Sequence, residues 1–87
     1  MNLKKNNKRK ELIIDMIKDL VLLQSQSPKY AANKLNYIVN GFIQDTIDFS
    51  KGINYIDSNL KNAKNETMKI FWIQVLKIVK KYFEEIK

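Results

Sequence analysis

The chain contains no cysteine and no histidine. The first absence removes disulfides and thiolate metal ligands, and the second removes the usual general base and the commonest ligand for zinc, copper and haem. Glycine occurs only at Gly41 and Gly52, which leaves no glycine-rich phosphate loop, and the acidic residues do not follow calcium-loop spacing. Proline occurs once, at Pro28, and no Asn-Gly or Asp-Gly turn joins two alternating apolar runs, so a sheet is not predicted. A single arginine stands against fifteen lysines, although arginine makes the commonest specific contact to a base edge. Long apolar runs are missing too: Lys18 and Lys77 cut the two best candidates below the roughly 18 uncharged residues that a spanning helix needs. The first ten residues resemble the charged start of a signal peptide. Asp15 and Asp19 interrupt the apolar stretch behind them, however, and no small-residue cleavage site follows, which points to a cytoplasmic protein.

What remains is an 87-residue chain, 45% hydrophobic, long enough for one domain with a core near the lower size limit for independent stability. Asparagine, lysine and isoleucine supply 37 of its residues, the imprint of an AT-rich genome. That imprint weakens any argument from lysine abundance. The formal charge of +7 is unevenly placed, with five positive charges in residues 1–10. Residues 1–7 are therefore expected as a basic flexible tail and residues 8–87 as a single helical domain.

From Lys8 to Gln24, Ile13, Met16, Ile17, Leu20 and Leu23 recur at helical spacing while Glu11, Asp15, Lys18 and Asp19 share the opposite side. Ser27 and Pro28 then read as the N-cap and first residue of a second helix. Its apolar positions run Ala32, Leu35, Val39, Phe42, Thr46, Phe49, Ile53, Ile56, Leu60 and Ala63, a coiled-coil-like alternation of three and four with Thr46 the one polar member. Asn65 and Glu66 start a last helix, in which Met68, Phe71, Trp72, Val75, Val79, Tyr82, Phe83 and Ile86 form the buried side. Lys80 with Glu84 and Lys81 with Glu85 are spaced for surface pairs.

The fold class is all-α, and two architectures compete. The constant phase of the heptad favours one long helix over residues 28–62. That helix would be covered by the flanking helices as a three-helix antiparallel bundle, whose leftover apolar surface calls for a dimer. A break near Gly52, with glycine as C-terminal cap, gives instead a four-helix bundle able to close its core in one chain.

Catalysis is not predicted. The carboxylate pair Asp45 and Asp48, spaced i, i+3, has no ligand cluster or base beside it, and no cofactor or metal is implied. The expected function is stoichiometric binding to a protein partner. Ile14, Val21, Leu22, Ile43, Ile47, Ile70, Ile73 and Ile78 exceed what the main apolar stripes require, and Lys69, Ile73, Lys77, Lys80 and Lys81 of the last helix are the candidate binding residues. The alternative is nucleic-acid binding, with Lys4, Lys5, Lys8, Arg9 and Lys10 neutralising phosphates alongside the last-helix lysines. Peripheral membrane contact through the last helix would need Phe71, Trp72, Tyr82 and Phe83 on lipid, at the expense of the core.

One family shares this layout. An amphipathic first helix with Asp19 in its later turns, a Pro28-Lys29-Tyr30 entry to the second helix and a lysine-rich last helix resemble the immunity proteins of class IIa bacteriocins, in particular the enterocin A type. Residues 10–45 carry the resemblance. It implies a four-helix antiparallel bundle in the cytoplasm, directed at the inner side of a membrane receptor complex, with specificity from about Lys69 onward. The unbroken heptad over residues 32–63 departs from that pattern. Small helical inhibitors encoded by AT-rich phages and plasmids present the same general features.

Overall fold

A computed structural model describes the backbone from Leu3 to Ile86 and the side chains of residues 8–86. The described chain is all-helical, with α1 (Leu3–Ser25), α2 (Lys29–Ile43), α3 (Phe49–Lys61) and α4 (Glu66–Ile86). α1 packs against α2 and α4, and α3 packs against α4. Neighbours run antiparallel. Arg9 lies beside Phe83 and Ile86 while Leu22 and Gln26 lie beside Gln74 and Ile78, and Phe49 meets Phe83 while Tyr55 meets Trp72. The radius of gyration is 13.2 Å and the longest dimension 48 Å, an elongated four-helix bundle.

The long central helix is not formed. The chain breaks at residues 44–48, upstream of the Gly52 position predicted from the sequence, and the reason lies in two residues. In an unbroken helix, at about 100° per residue, Thr46 would fall on the core face and Ile47 on the solvent side. The break exchanges them: Ile47 is buried and Thr46 exposed. Gly41 makes this possible, because a β-carbon there would lie 2.5 Å from Ile47 Cγ1. Burying an isoleucine contributes about 1.5–3 kcal/mol, enough to offset a few lost helical hydrogen bonds.

The termination itself is a Schellman motif. Thr46 N–H donates to Gly41 O at 2.8 Å and Asp45 N–H to Phe42 O at 3.4 Å, with Asp45 in the left-handed region at φ 56°. Asp48 then caps α3, its carboxylate accepting from Lys51 N–H at 2.8 Å. The two aspartates read from the sequence as one helical pair therefore occupy a helix end and a helix start. Gly52 terminates nothing; it is buried inside α3, where a β-carbon would sit 3.2 Å from Phe42 Cζ, so its small size lets α3 approach that ring.

Other boundaries differ by less. α1 begins at Leu3, ahead of the start near residue 8 predicted from apolar spacing. Ser27 does not cap α2: its hydroxyl donates backwards to Leu23 O at 2.6 Å, and Pro28 occupies the cap position without a side-chain bond. Asn65 caps α4 as its sequence position predicts, accepting from Met68 N–H at 2.9 Å.

The core holds Met16 and Leu20 from α1, Leu35, Ile38, Val39 and Phe42 from α2, Ile56 from α3, and Trp72, Val75 and Val79 from α4. Ala31 is buried where the heptad placed Ala32, and Ile38 joins the core unpredicted. Phe42, Phe49 and Phe83 form a run of rings with centroids 5.3 and 5.2 Å apart. No polar or charged residue is buried among the described residues. The Trp72 ring is fully buried and its Nε1–H has no hydrogen-bond acceptor among the described residues, an arrangement that costs about 1–3 kcal/mol. The buried side chains of all four helices form one cluster, in place of the three-helix layer from which the dimer was predicted.

Candidate functional site

α4 carries more apolar surface than the bundle uses. At helical pitch Met68, Phe71, Trp72, Val75, Val79 and Tyr82 share the inward face, and all six are buried. The opposite face presents Lys69, Ile70, Ile73, Lys77, Lys80 and Lys81, all exposed. The five residues predicted from the sequence as a binding site thus share one surface, about 18 Å long at 1.5 Å per residue. Ile70 joins them at 53% exposure, beside Ile73 at 41%. The i, i+3 spacing of these isoleucines, off the core stripe, was the signal for their pairing.

The charges on this face are mostly free of one another. Among the described residues the only ion pair is Lys69 with Glu66, at 4.0 Å and solvent-exposed. The predicted Lys80–Glu84 and Lys81–Glu85 pairs do not form, and Lys81 Nζ lies 5.2 Å from the centre of the Tyr82 ring. An exposed pair or cation–ring contact contributes little to stability. Lys77 also borders a groove of about 350 Å³ between α1 and α4, lined by Asp19, Leu22, Leu23, Gln74 and Ile78. Leu22, one of the apolar residues in excess of the main stripes, is 58% exposed there.

Asp19, one of the residues lining that groove, is held by Tyr82. The tyrosine hydroxyl donates to Asp19 Oδ2 at 2.7 Å, joining α4 to α1. This hydrogen bond, with burial and the negative charge of Asp19 adding to it, pushes the tyrosine up to about 12. Asp19 therefore acts as a structural acceptor as well as a surface charge.

No family model, curated protein or solved structure matches this chain. The candidate surface rests on its own geometry.

The basic residues at the start of the chain are arranged differently. Lys8, Arg9 and Lys10 are exposed, but successive residues of a helix fan out by about 100° and do not form a stripe. Lys10 turns toward α2, while Arg9 lines the α1–α2 opening and a second one beside Phe49 and Phe83. The side chains of Lys4 and Lys5 lie outside the described residues. The four aromatic residues considered for lipid contact are committed to packing: Phe71, Trp72 and Tyr82 are buried, and the half-buried Phe83 stacks on Phe49. Among the described residues no helix is long and apolar enough to cross a membrane.

Proposed function

We propose that this chain is a non-catalytic helical protein that acts by stoichiometric binding of a protein partner through the outward face of α4. The observation that carries this reading is the pair Ile70 and Ile73, exposed side by side among Lys69, Lys77, Lys80 and Lys81 and unused by the fold. Apolar centres rimmed by charge are the usual anatomy of a protein-binding patch. The partner is acidic around an apolar contact, and the complex forms in the cytoplasm.

Within that reading the bacteriocin-immunity resemblance supplies the most specific version. The family's four antiparallel helices accord with the four seen, and the part of the chain to which it assigns specificity contains the α4 face. A phage- or plasmid-encoded inhibitor of a host protein would use the same surface.

The experiment is a protection assay in a strain sensitive to class IIa bacteriocins, expressing the intact chain or its Ile73→Asp/Lys77→Glu variant. Survival gained with the intact chain and lost with the variant, at equal expression and equal melting temperature, is the expected result. Absence of protection removes the immunity version. The broader reading is then tested by photocrosslinkers placed at Ile73 and, as control, at Lys18. Equal crosslinking at both positions would refute it.

The nucleic-acid alternative draws on one observation. Arg9 lies beside Phe83 and Ile86, so the basic start of α1 and the Lys80–Lys81 end of α4 share one end of the bundle. Co-elution with a mixed DNA and RNA oligomer pool at about 50 mM salt, lost at about 300 mM, would favour it over protein binding.

A further inference from the structure

The seam between α1 and α2 opens at its Arg9 end into a groove of about 390 Å³. Its floor is apolar, built from the partly buried Ile13 and Ile17 and the buried Phe42. Its lips are Ile14 and Ile43, which are 52% and 60% exposed. Arg9 and Lys10 stand on the α1 side and Asp45 on the loop side, two cations against one carboxylate. Toward Ser25 the seam turns polar, with Gln24 Nε2 donating to Ala32 O at 2.9 Å and to Asn36 Oδ1 at 2.8 Å beside a second groove of about 330 Å³ in which Gln24, Ser25, Asn33 and Asn36 outnumber Val21 and Ala32. Of these two grooves along the seam, the one with a predominantly apolar lining is the one beside which Arg9 and Lys10 stand.

We propose that this groove docks an acidic amphipathic helix of a protein partner, at a surface separate from the α4 face. Charge selects the occupant. Arg9 is the only arginine in the chain and forms no ion pair with another described residue, and its planar fork matches a carboxylate with two parallel hydrogen bonds. Shape selects it as well. A small apolar ligand needs walls that bury most of its surface, whereas both lips here are more than half open. A helix about 10–12 Å across, laid along the seam, would cover both lips with apolar residues at i, i+3 and i+7 and bring a carboxylate in the adjoining turn to Arg9. A second copy of this chain fits poorly. Its own exposed isoleucine pair, Ile70 and Ile73, is flanked by lysines that would meet Arg9 and Lys10 with like charge.

The test uses the full chain. A display library of amphipathic helices about 14 residues long, with a constant apolar stripe and flanking positions free to be acidic, neutral or basic, is selected on the purified protein. Enriched peptides are then titrated into ¹⁵N-labelled protein. The expected result is acidic enrichment, amide shifts over residues 9–17 and 42–45, and affinity weakened at least roughly 10-fold by Arg9→Gln and by Ile43→Ser. The Ile73→Ser variant should bind unchanged, which separates this groove from the α4 face. Arg9→Gln and Ile43→Ser alter exposed side chains, and unchanged melting curves confirm that they fold. Absence of binders, neutral or basic enrichment, shifts centred on α4, or an Arg9→Gln variant that binds normally would overturn the proposal. So would an Ile43-dependent dimer in light scattering, which assigns the groove to a second copy, or Ile14-dependent binding to anionic vesicles, which assigns it to lipid.

Discussion

Gly41→Ala tests the break in the central helix directly, because the two architectures predict opposite signs. In a continuous helix an interior glycine-to-alanine change stabilises by about 1 kcal/mol. In the observed fold the new methyl would lie 2.5 Å from Ile47 Cγ1, 2.7 Å from Cδ1 and 3.2 Å from Cγ2. Three atoms of one β-branched side chain are involved, so rotating its tip gives no relief and the whole residue must leave its seat. Overpacking of that kind costs about 1–3 kcal/mol, and the helix-propensity gain offsets only part of it. The expected net effect is a loss of about 1 kcal/mol, or roughly 4–8 °C in melting temperature for a domain of this size. Urea denaturation followed by fluorescence of the buried Trp72 reads it. The same change in an Ile47→Ala background, where the seat is empty, should recover the alanine gain, giving a coupling of about 2 kcal/mol in the double-mutant cycle. Stabilisation by Gly41→Ala in the otherwise unchanged chain, with no coupling to Ile47, would refute the break and restore the long helix.

Phe42→Ala and Phe49→Ala should each cost about 3–5 kcal/mol in chemical denaturation, since both rings are buried and in contact with each other. Losses below about 1 kcal/mol would show that these rings are not core. Asp45→Gly should stabilise by about 0.5–1 kcal/mol by relieving the left-handed backbone at that position, and Asp48→Ala should cost about 1 kcal/mol through the lost cap of α3. Tyr82, raised from 10.0 to about 12 in the folded state, contributes stability that is fully present below pH 10 and lost as pH rises toward 12. Discounted for solvent at the hydroxyl, that contribution is about 1 kcal/mol. Denaturation of the chain and its Tyr82→Phe variant at about pH 8 and about pH 11.5 should show the difference between them shrinking at the higher pH. A constant difference would count against the Asp19 hydrogen bond.

Legibility followed the physics of each segment. The bounds and buried side of α4 could be read because the local cues agreed: a capping asparagine, an acidic first turn and a continuous apolar stripe; its surface ion pairs could not, because Lys80 and Lys81 do not pair with Glu84 and Glu85. Its outward face was legible by subtraction, since Ile73 and the lysines fall off that stripe. α1 was legible in its buried side, while its start was not, because no capping residue or apolar spacing marks the chain before Lys8. The apolar lips at Ile14 and Ile43 were visible only as surplus isoleucines, because which surplus residues lie next to one another depends on how α1 sits against α2.

By itself the sequence determined that the chain is helical, which faces of α1 and α4 turn inward, and where α4 begins, because those properties depend on spacing within one helix. Only the tertiary structure decided where the central segment breaks. A heptad in constant phase through Phe42, Thr46 and Phe49 favours continuity, and local propensity points to Gly52. The outcome instead turns on whether Ile47 or Thr46 enters the core, a choice made by the space above Gly41 once α2 and α3 are folded against each other. The role of Asp19 was decided in the same way, since its partner Tyr82 lies 63 residues further along the chain. Contacts of that range are set by packing, and no periodicity within a single helix records them.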